Sequence, residues 1–308
     1  MAPGILDWSA FKTQAQRAQP VDQESGYHES RRVNKRNGGM IDCGTGPAVV
    51  LVPGIQGRWE WMRPTVAALS RGCRVLSFSL CGEPGTRIPA APGPGLTRYV
   101  TQLDDLLDRA GLERIVLCGV SFGGLIAVHY AAQRLDRIAG LVLVSSPGPS
   151  WRPDGRIERY LRAPRLMALA FVAGSPARMW PEIVAAYPAW GPRLGFTARH
   201  LVRVLRAPMS PTLMAERVRA MVDADIPGDC RAIDRPTLVM TGEAALDRVV
   251  PTTSSQEYLS AIRNARGTTL RRTGHIGLVT RPDAFADIVL AFVARLADRS
   301  GGRSSAVR

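Results

Sequence analysis

The sequence predicts an α/β fold, a doubly wound and mostly parallel sheet with helices packed on its two faces. Three observations predict it. Apolar runs of five to seven residues, such as Ala48 to Val52 and Ile138 to Val144, are typical of strands buried on both faces. These runs alternate with helix-like segments, which implies parallel strands joined by right-handed crossovers. A Gly-Val-Ser-Phe-Gly turn at 119–123 joins one such run to a helix.

The chain begins with a polar, poorly patterned segment. Residues 1–43 contain one candidate helix near 8–18, and we assign them no function. The first part of the α/β core is predicted at 44–150. Its strands and helices alternate in this order: strand 48–52, helix 63–71, strand 74–79, helix 99–110, strand 114–118, helix 125–132 and strand 138–144.

The alternation of strands and helices stops at residue 150. From 151 to 233 the sequence predicts only helices, which are punctuated by Pro and Gly and lie at 157–172, 181–186, 198–205 and 213–222. The core pattern resumes in 234–296, with strands at 236–242 and 268–272 and a last helix at 283–296. An insertion between two strands of one sheet predicts a helical cap. Residues 297–308 have the composition of a disordered tail.

Length and composition fit one large α/β domain with an insertion, or two ordinary domains. The 308 residues are 45% hydrophobic, enough for a large core, and 40 basic against 26 acidic residues give a net charge of +14. Only Lys12 and Lys35 are lysines, and the arginines are scattered along the chain, so we give a nucleic-acid partner little weight. The basic cluster at 31–36, flanked by Glu29, is interpreted as a solvated strand edge or loop.

The cysteines and the N-terminus predict the cellular setting. The five cysteines show no C-x-x-C pair and no zinc spacing with the histidines, so we expect free thiols and no metal. The first residues lack a basic region followed by an apolar stretch, and no apolar run approaches the length of a membrane span. A soluble cytoplasmic protein is the default expectation.

Ser121 is the candidate nucleophile. It stands where the chain turns from a strand to a helix, and the small residues Gly119 and Gly123 prevent a collision as the backbone folds back. Such a turn lifts the hydroxyl clear of the sheet edge. It also directs the first amides of the following helix towards negative charge that forms beside the hydroxyl.

A serine hydroxyl needs a base to take its proton, and that base needs a third group to orient it. Of the four histidines, His28 lies in the polar N-terminal segment, His129 more than two turns into the helix after Ser121, and His200 in the predicted cap. His275 follows the last predicted strand, at the edge where Ser121 also emerges. We predict His275 as the base, the alternative being a solvent-exposed loop histidine.

Asp247 is the predicted acid of the triad and Glu243 the second choice. Both lie in the loop that leaves the buried strand at 236–242. The spacing of 28 residues between Asp247 and His275 leaves room for one helix and one strand, which would bring the two loops together. The alternative is that Asp247 caps the next helix or pairs with Arg248.

Two backbone amides are predicted to form an oxyanion hole, those of Phe122 and Ile55. Phe122 directly follows the nucleophile, and Ile55 lies in the loop 53–57 after the first buried strand, where Gly54 permits the turn. The alternative for that loop is an ordinary glycine-rich connection. The predicted substrate-binding residues are Gln56, Trp59, Met167, Phe171 and Trp180, with Trp61, Met62 and Met179 nearby in the sequence. These side chains form an apolar pocket or only pack the cap against the core.

Taken together, these residues resemble the α/β-hydrolase fold family from about 44 to 296. The turn at 119–123, the order Ser121, Asp247, His275, and the Pro-Asp-Ala-Phe run at 282–285 carry the resemblance. The family places His-Gly at the oxyanion loop, where this chain has Pro53 followed by Gly54. The loop at 80–85 keeps the family's glycines but not its usual charged and histidine positions, and the two-strand N-terminal region looks trimmed. Haloalkane dehalogenases and epoxide hydrolases of the family carry an aspartate at the nucleophile position, so Ser121 argues against both activities.

The resemblance implies a serine hydrolase that cleaves a carboxylic ester or lactone through an acyl-enzyme, without a cofactor. A carbon-carbon bond hydrolase or an acyltransferase with the same triad is the alternative, as is a ligand-binding member of the fold without catalysis. The expected partner is a small-molecule ester or lactone, with no nucleic acid and no membrane span. The apolar residues of the predicted pocket favour small to medium uncharged acyl groups.

Overall fold

A computed structural model describes residues 35–37 and 39–304 of the chain. The strands of this part form a single sheet of eight, in the order β1-β2-β4-β3-β5-β6-β7-β8. β1 pairs antiparallel with β2 and β2 antiparallel with β4, whereas the remaining neighbours are parallel. The strands span Lys35–Asn37 (β1), Met40–Cys43 (β2), Ala48–Val52 (β3), Arg74–Phe78 (β4), Ile115–Val120 (β5), Ile138–Val144 (β6), Thr237–Thr241 (β7) and Ala265–Thr269 (β8). The predicted fold class, a doubly wound and mostly parallel α/β sheet, is confirmed.

Helices follow most strands, as the crossovers of a parallel sheet require. Outside the stretch between β6 and β7 they span Arg63–Leu69 (α1), Thr97–Ala110 (α2), Phe122–Gln133 (α3), Thr252–Gln256 (α10), Tyr258–Ala261 (α11), Gly277–Thr280 (α12) and Pro282–Ser304 (α13). Short 3₁₀ turns lie at Trp59–Met62 and Leu135–Arg137.

Six helices lie between β6 and β7, and we call this stretch the helical insertion. They span Gly155–Arg162 (α4), Pro164–Ala173 (α5), Ser175–Ala186 (α6), Trp190–Arg206 (α7), Pro211–Asp223 (α8) and Ile226–Ala232 (α9). The helix predicted at 157–172 is two helices, since Pro164 lacks the N–H of a helix interior and begins a new helix instead. As predicted, this stretch holds no strand.

Side chains of each central strand alternate between two buried clusters, one on each face of the sheet. In β3, Val50 and Val52 join the cluster that α2 and α3 cover, while Val49 and Leu51 join the cluster that α1 and α13 cover. Both sets are wholly removed from solvent. The apolar runs of the sequence are therefore continuous because helices cover both faces.

The sheet begins earlier and the last helix ends later than the sequence predicted. β1 and β2 lie within 35–43, a region expected to lack pattern, and β2 pairs with β4 through Ile41 opposite Ser77. These strands are short, which leaves little periodicity to detect. α13 continues to Ser304, so most of the expected tail at 297–308 is helical, and residues 305–308 lie outside the described part.

The described residues include only part of the N-terminal segment but all five cysteines. The candidate helix at 8–18 and the first residues of the basic cluster at 31–36 lie outside the described residues, while Lys35 and Arg36 belong to β1. The cysteines form no disulfide, and four of the five are buried. Among the described helices none is long and apolar enough to cross a membrane.

Candidate active site

Ser121 occupies a strained turn between β5 and α3. Its backbone angles are φ 51° and ψ −119°, a left-handed conformation that costs energy for a residue with a side chain. The turn is held because the Ser121 amide donates to the Val144 carbonyl at 2.8 Å and the Gly124 amide donates to the Ser121 carbonyl at 2.8 Å. A Cβ atom at Gly119 would collide with the Gly123 backbone, so only glycine fits there. The local sequence thus presents one serine at the carboxyl edge of the sheet.

His275 and Asp247 are joined by a hydrogen bond, with 3.3 Å between Nδ1 and Oδ2. The other carboxylate oxygen of Asp247 accepts hydrogen bonds from the amides of Val249 and Val250, each at 3.0 Å. Burial raises the pKa of Asp247, but the hydrogen bond and charge of His275 and the two amides outweigh it, so that pKa is lowered. Asp247 is therefore held as a carboxylate that fixes the orientation of the imidazole.

Ser121 and His275 line the same cavity. The hydrogen bonds of the described residues include none between their side chains. Such bonds are often long before substrate is bound and tighten in the complex. The predicted nucleophile, base and acid are therefore at one edge of the sheet, on loops that follow β5, β7 and β8.

Glu243, the second choice for the acid, points elsewhere. Its carboxylate accepts a hydrogen bond from the Arg272 amide at 2.8 Å, which ties the loop after β7 to the end of β8. His129 lies far along α3 and pairs with Asp229 at 2.7 Å. His28 lies outside the described residues.

The loop between β3 and the 3₁₀ turn carries the predicted oxyanion donor Ile55. The Gly57 amide donates to the Gly54 carbonyl at 2.9 Å and closes a turn. In a trans peptide the N–H points away from the carbonyl, so this bond also fixes the direction of the Ile55 N–H. Ile55 lines one cavity together with Ser121 and Phe122, the other predicted donor.

Two cavities meet at Ser121. One, of about 240 Å³, lies on the Ile55 side and is lined mainly by apolar side chains that include Met167, Trp151 and Tyr160. The other, of about 400 Å³, lies on the His275 side. Phe171 and Arg178 of the helical insertion line both. The site is thus a two-lobed cavity between the sheet edge and the helical insertion.

The predicted pocket residues divide into two groups. Gln56, Met167 and Phe171 line a cavity, as do Trp61, Met62 and Met179. Trp59 does not: it is 3% exposed and packs in the hydrophobic core on the α1 side. Trp180 does not either, because it faces solvent at 39% exposure and lies beside Arg193. The prediction that these two residues line the pocket is wrong. The sequence alone does not reveal which face of a helical turn an aromatic side chain occupies.

Three charged residues near the site were missed in the sequence. Glu182 of α6 is 1% exposed and bonds to the loop that carries His275. Arg217 of α8 and Glu83, both fully buried, form an ion pair of 2.6 Å beside the Ile55 loop. The signal was weak, because a single charge within a helix is ordinarily solvent-exposed.

His200 lies on α7 of the helical insertion. It lines the larger cavity, stacks on Phe196 and meets the edge of Trp61. Burial, together with the charge of Arg203, lowers its pKa to about 4. His200 is therefore a neutral wall of the cavity at neutral pH. The described residues hold no group of three or more His, Cys, Asp or Glu side chains arranged for a metal ion.

Comparisons with known proteins agree with this architecture. Residues 49–288 match the family described as "Alpha/beta hydrolase family". "Putative carbamate hydrolase RutD" of Variovorax paradoxus (strain S110) is 29% identical over 263 residues, which cover 82% of this chain and 93% of the relative. The 2-hydroxy-6-oxo-2,4-heptadienoate hydrolase of Pseudomonas putida F1 is 28% identical over 264 residues, 83% of this chain and 92% of the relative.

A solved structure shows the same fold. The enol-lactonase from Burkholderia xenovorans LB400 superimposes with a TM-score of 0.66 at 26% identity, covering 82% of this chain and 92% of the enol-lactonase chain. These relatives are named as hydrolases, although their names describe different bonds.

Proposed function

Since the chain belongs to the alpha/beta hydrolase family and is a hydrolase, we propose which bond it cleaves. The proposed substrate is a carboxylic ester or lactone of a small molecule, and the proposed catalytic residues are Ser121, His275 and Asp247. The observation that carries the proposal is that His275, which is hydrogen-bonded to Asp247, lines the same cavity as Ser121. The resemblance of the chain to an enol-lactonase supports the choice of bond.

In the proposed reaction, the Ser121 hydroxyl attacks the carbonyl carbon while His275 accepts the hydroxyl proton. Asp247 keeps the other ring nitrogen protonated and stabilises the imidazolium that forms. The amides of Ile55 and Phe122 stabilise the oxyanion, and the start of α3 adds its dipole. His275 then returns the proton to the leaving alcohol oxygen, and water releases the acyl group by the same steps in reverse order.

The helical insertion is proposed as the cap that closes the site. Apart from the sheet-edge loops, most of the side chains around Ser121 come from α4, α5, α6, α7 and α8. We propose that residues 151–233 form the cap and that the core lies on either side of it, from β1 to β6 and from β7 to α13. Covering the cavity excludes bulk water and strengthens the charge interactions within it.

Cleavage of a carbon-carbon bond is a second candidate, because one relative is named as a hydrolase of 2-hydroxy-6-oxo-2,4-heptadienoate. Such a substrate could use the same nucleophile and base. Acyl transfer with the same triad is the remaining catalytic alternative. A ligand-binding role without catalysis fits the family match less well, since the relatives are named as hydrolases.

Labelling by a fluorophosphonate tests the proposal directly. The wild type should react at one residue, Ser121, and Ser121→Ala should not react. Against a panel of acyl esters and lactones, Ser121→Ala and His275→Ala should each lose at least about a thousandfold in turnover and remain folded, because a triad acts as a unit. Retained turnover in either variant would rule out the assignment. Turnover of vinylogous diketones but of no ester or lactone would favour carbon-carbon cleavage.

A further inference from the structure

Arg217 is a buried cation of the helical insertion that grips the oxyanion loop. Its side chain, on α8, has no solvent exposure and forms an ion pair of 2.6 Å with the equally buried Glu83. One guanidinium nitrogen donates to the Ile55 carbonyl at 2.8 Å, and Nε donates to the Tyr99 hydroxyl at 3.3 Å. The insertion therefore reaches the loop that carries the predicted oxyanion donor.

This contact fixes a second peptide of the loop. The turn bond from Gly57 holds the peptide between Gly54 and Ile55, and Arg217 holds the next one through the Ile55 carbonyl. Gly57 has φ +70°, and a Cβ atom there would lie 2.5 Å from the Arg217 guanidinium. The loop is thus shaped around Arg217. The hydrogen bond holds the Ile55 carbonyl towards the buried guanidinium of Arg217.

Glu182 makes the corresponding contact on the histidine side. This carboxylate of α6 is 1% exposed. It accepts a hydrogen bond from the Ile276 amide at 3.0 Å and one from the Thr280 hydroxyl at 3.1 Å. The pKa of Glu182 is raised, because burial outweighs the hydrogen bonds from the Ile276 and Gly274 amides and from Thr280 and the charge of His275. His275 is thus faced by Asp247 from the loop after β7 and by Glu182 from the insertion.

Stability alone does not account for these two residues. A buried ion pair or carboxylate loses solvation on folding, and well-packed apolar residues of the same volume often give an equal or higher stability. Both residues, however, bond to the backbone of a catalytic loop. Their contacts constrain the peptide that follows the Ile55 amide and the peptide that follows His275.

We propose that the helical insertion positions both catalytic loops through two buried charges, Arg217 at the oxyanion loop and Glu182 at the histidine loop. The inference rests on the proposed function of Ser121, His275 and Asp247. Arg217 and Glu182 are positioning residues that act through Ile55 and His275 without touching substrate.

The Arg217 arm is tested with Arg217→Lys and Glu83→Gln against Arg193→Lys as the matched control. Arg193 is also a buried arginine of the insertion, but it donates only to the carbonyls of Tyr187 and Pro188. We expect kcat to fall about 10- to 100-fold in Arg217→Lys and Glu83→Gln with KM within about twofold, as when an oxyanion donor is misplaced. Arg193→Lys should keep the wild-type kcat.

The Glu182 arm is tested with Glu182→Gln, Thr280→Val and the control Tyr187→Phe. Tyr187, at the end of α6, also donates to this segment, from its hydroxyl to the Thr280 carbonyl at 2.6 Å. Removing the negative charge in Glu182→Gln makes protonation of the imidazole harder, so the acidic limb of the kcat/KM profile should move to lower pH by about half a unit. Thr280→Val keeps that charge and should lower kcat without moving the limb. Tyr187→Phe should change neither.

The outcomes separate positioning from packing. Thermal unfolding of every variant shows which ones fold, and Glu83→Gln still tests the Arg217 arm if Arg217→Lys does not fold. Lowered melting temperatures with wild-type kcat and an unmoved acidic limb would overturn the proposal. Retained activity in Ser121→Ala would instead contradict the proposed function, whatever the results for the variants at Arg217, Glu83, Glu182 and Thr280.

Discussion

Asp247 and Glu243 lie in the same loop but have different hydrogen-bond partners, the imidazole of His275 and the amide of Arg272. Their amide variants should therefore lose turnover to different degrees. Asp247→Asn should lose far more turnover than Glu243→Gln, by about a hundredfold or more, because only Asp247 orients the ring nitrogen of His275. Glu243→Gln keeps an oxygen that can accept from the Arg272 amide. Steady-state kcat of both variants on one ester gives the ranking. The reverse order would move the acid to Glu243.

His200 should make the stability of the protein depend on pH. The pKa of His200 in the folded chain is lowered to about 4, whereas its ordinary value is 6.5. The unfolded chain thus takes up this proton first, and the free energy of unfolding should fall between about pH 6.5 and pH 4, by up to about 3 kcal/mol. Above about pH 7.5, where His200 is neutral in both states, this residue no longer changes the free energy of unfolding.

Urea unfolding at pH 7 and at pH 4.5 measures this effect. In His200→Gln the difference between the two pH values should shrink relative to wild type, because the variant has no ring to protonate. An equal difference in both proteins would contradict a neutral, buried His200. The acidic limb of the activity profile should be the same in both, since His275 rather than His200 is the proposed base.

Strands and turns whose shape depends on neighbouring residues could be predicted from the local sequence. The strand at 138–144 has the predicted bounds, and the turn at Ser121 was readable because glycine at 119 is required by its immediate neighbours. β8 was placed three residues late, at 268–272 instead of Ala265–Thr269. Its side chains are largely exposed, and an edge strand with a polar sequence gives no apolar run to locate.

The contacts that the sequence did not reveal join residues far apart in the chain. Arg217 lies 162 residues from the carbonyl that it binds, and Glu182 lies 94 residues from Ile276. Nothing in their neighbours announces these contacts. The sequence could predict that Ser121, Asp247 and His275 lie close together, because the carboxyl ends of parallel strands meet at one edge of the sheet. The side chains around the cavity obey no comparable rule, so Trp59 of the 3₁₀ turn and Trp180 of the helical insertion were assigned to the pocket wrongly.

For the whole molecule, the cavity bears on substrate choice. Apolar side chains dominate the smaller lobe, so we predict a preference for small to medium uncharged acyl esters or lactones over charged or polymeric ones. kcat/KM across neutral acyl chains of increasing length, and across matched acyl groups that end in a carboxylate, tests this prediction. Arg156 and Arg178 also line that lobe. A strong preference for the anionic series, lost in Arg178→Met, would show that these arginines set specificity.

The grip of Arg217 and Glu182 on the two loops also bears on how such an enzyme can change over generations. A segment that only covered a site could be exchanged between relatives as a module, with the chemistry left intact beneath it. Here an exchanged segment would carry away the groups that keep an amide and an imidazole aimed. The helical insertion and the sheet-edge loops must therefore be inherited, recombined or redesigned as one unit, with Glu83 and Gly57 changing in step with the arginine they accommodate.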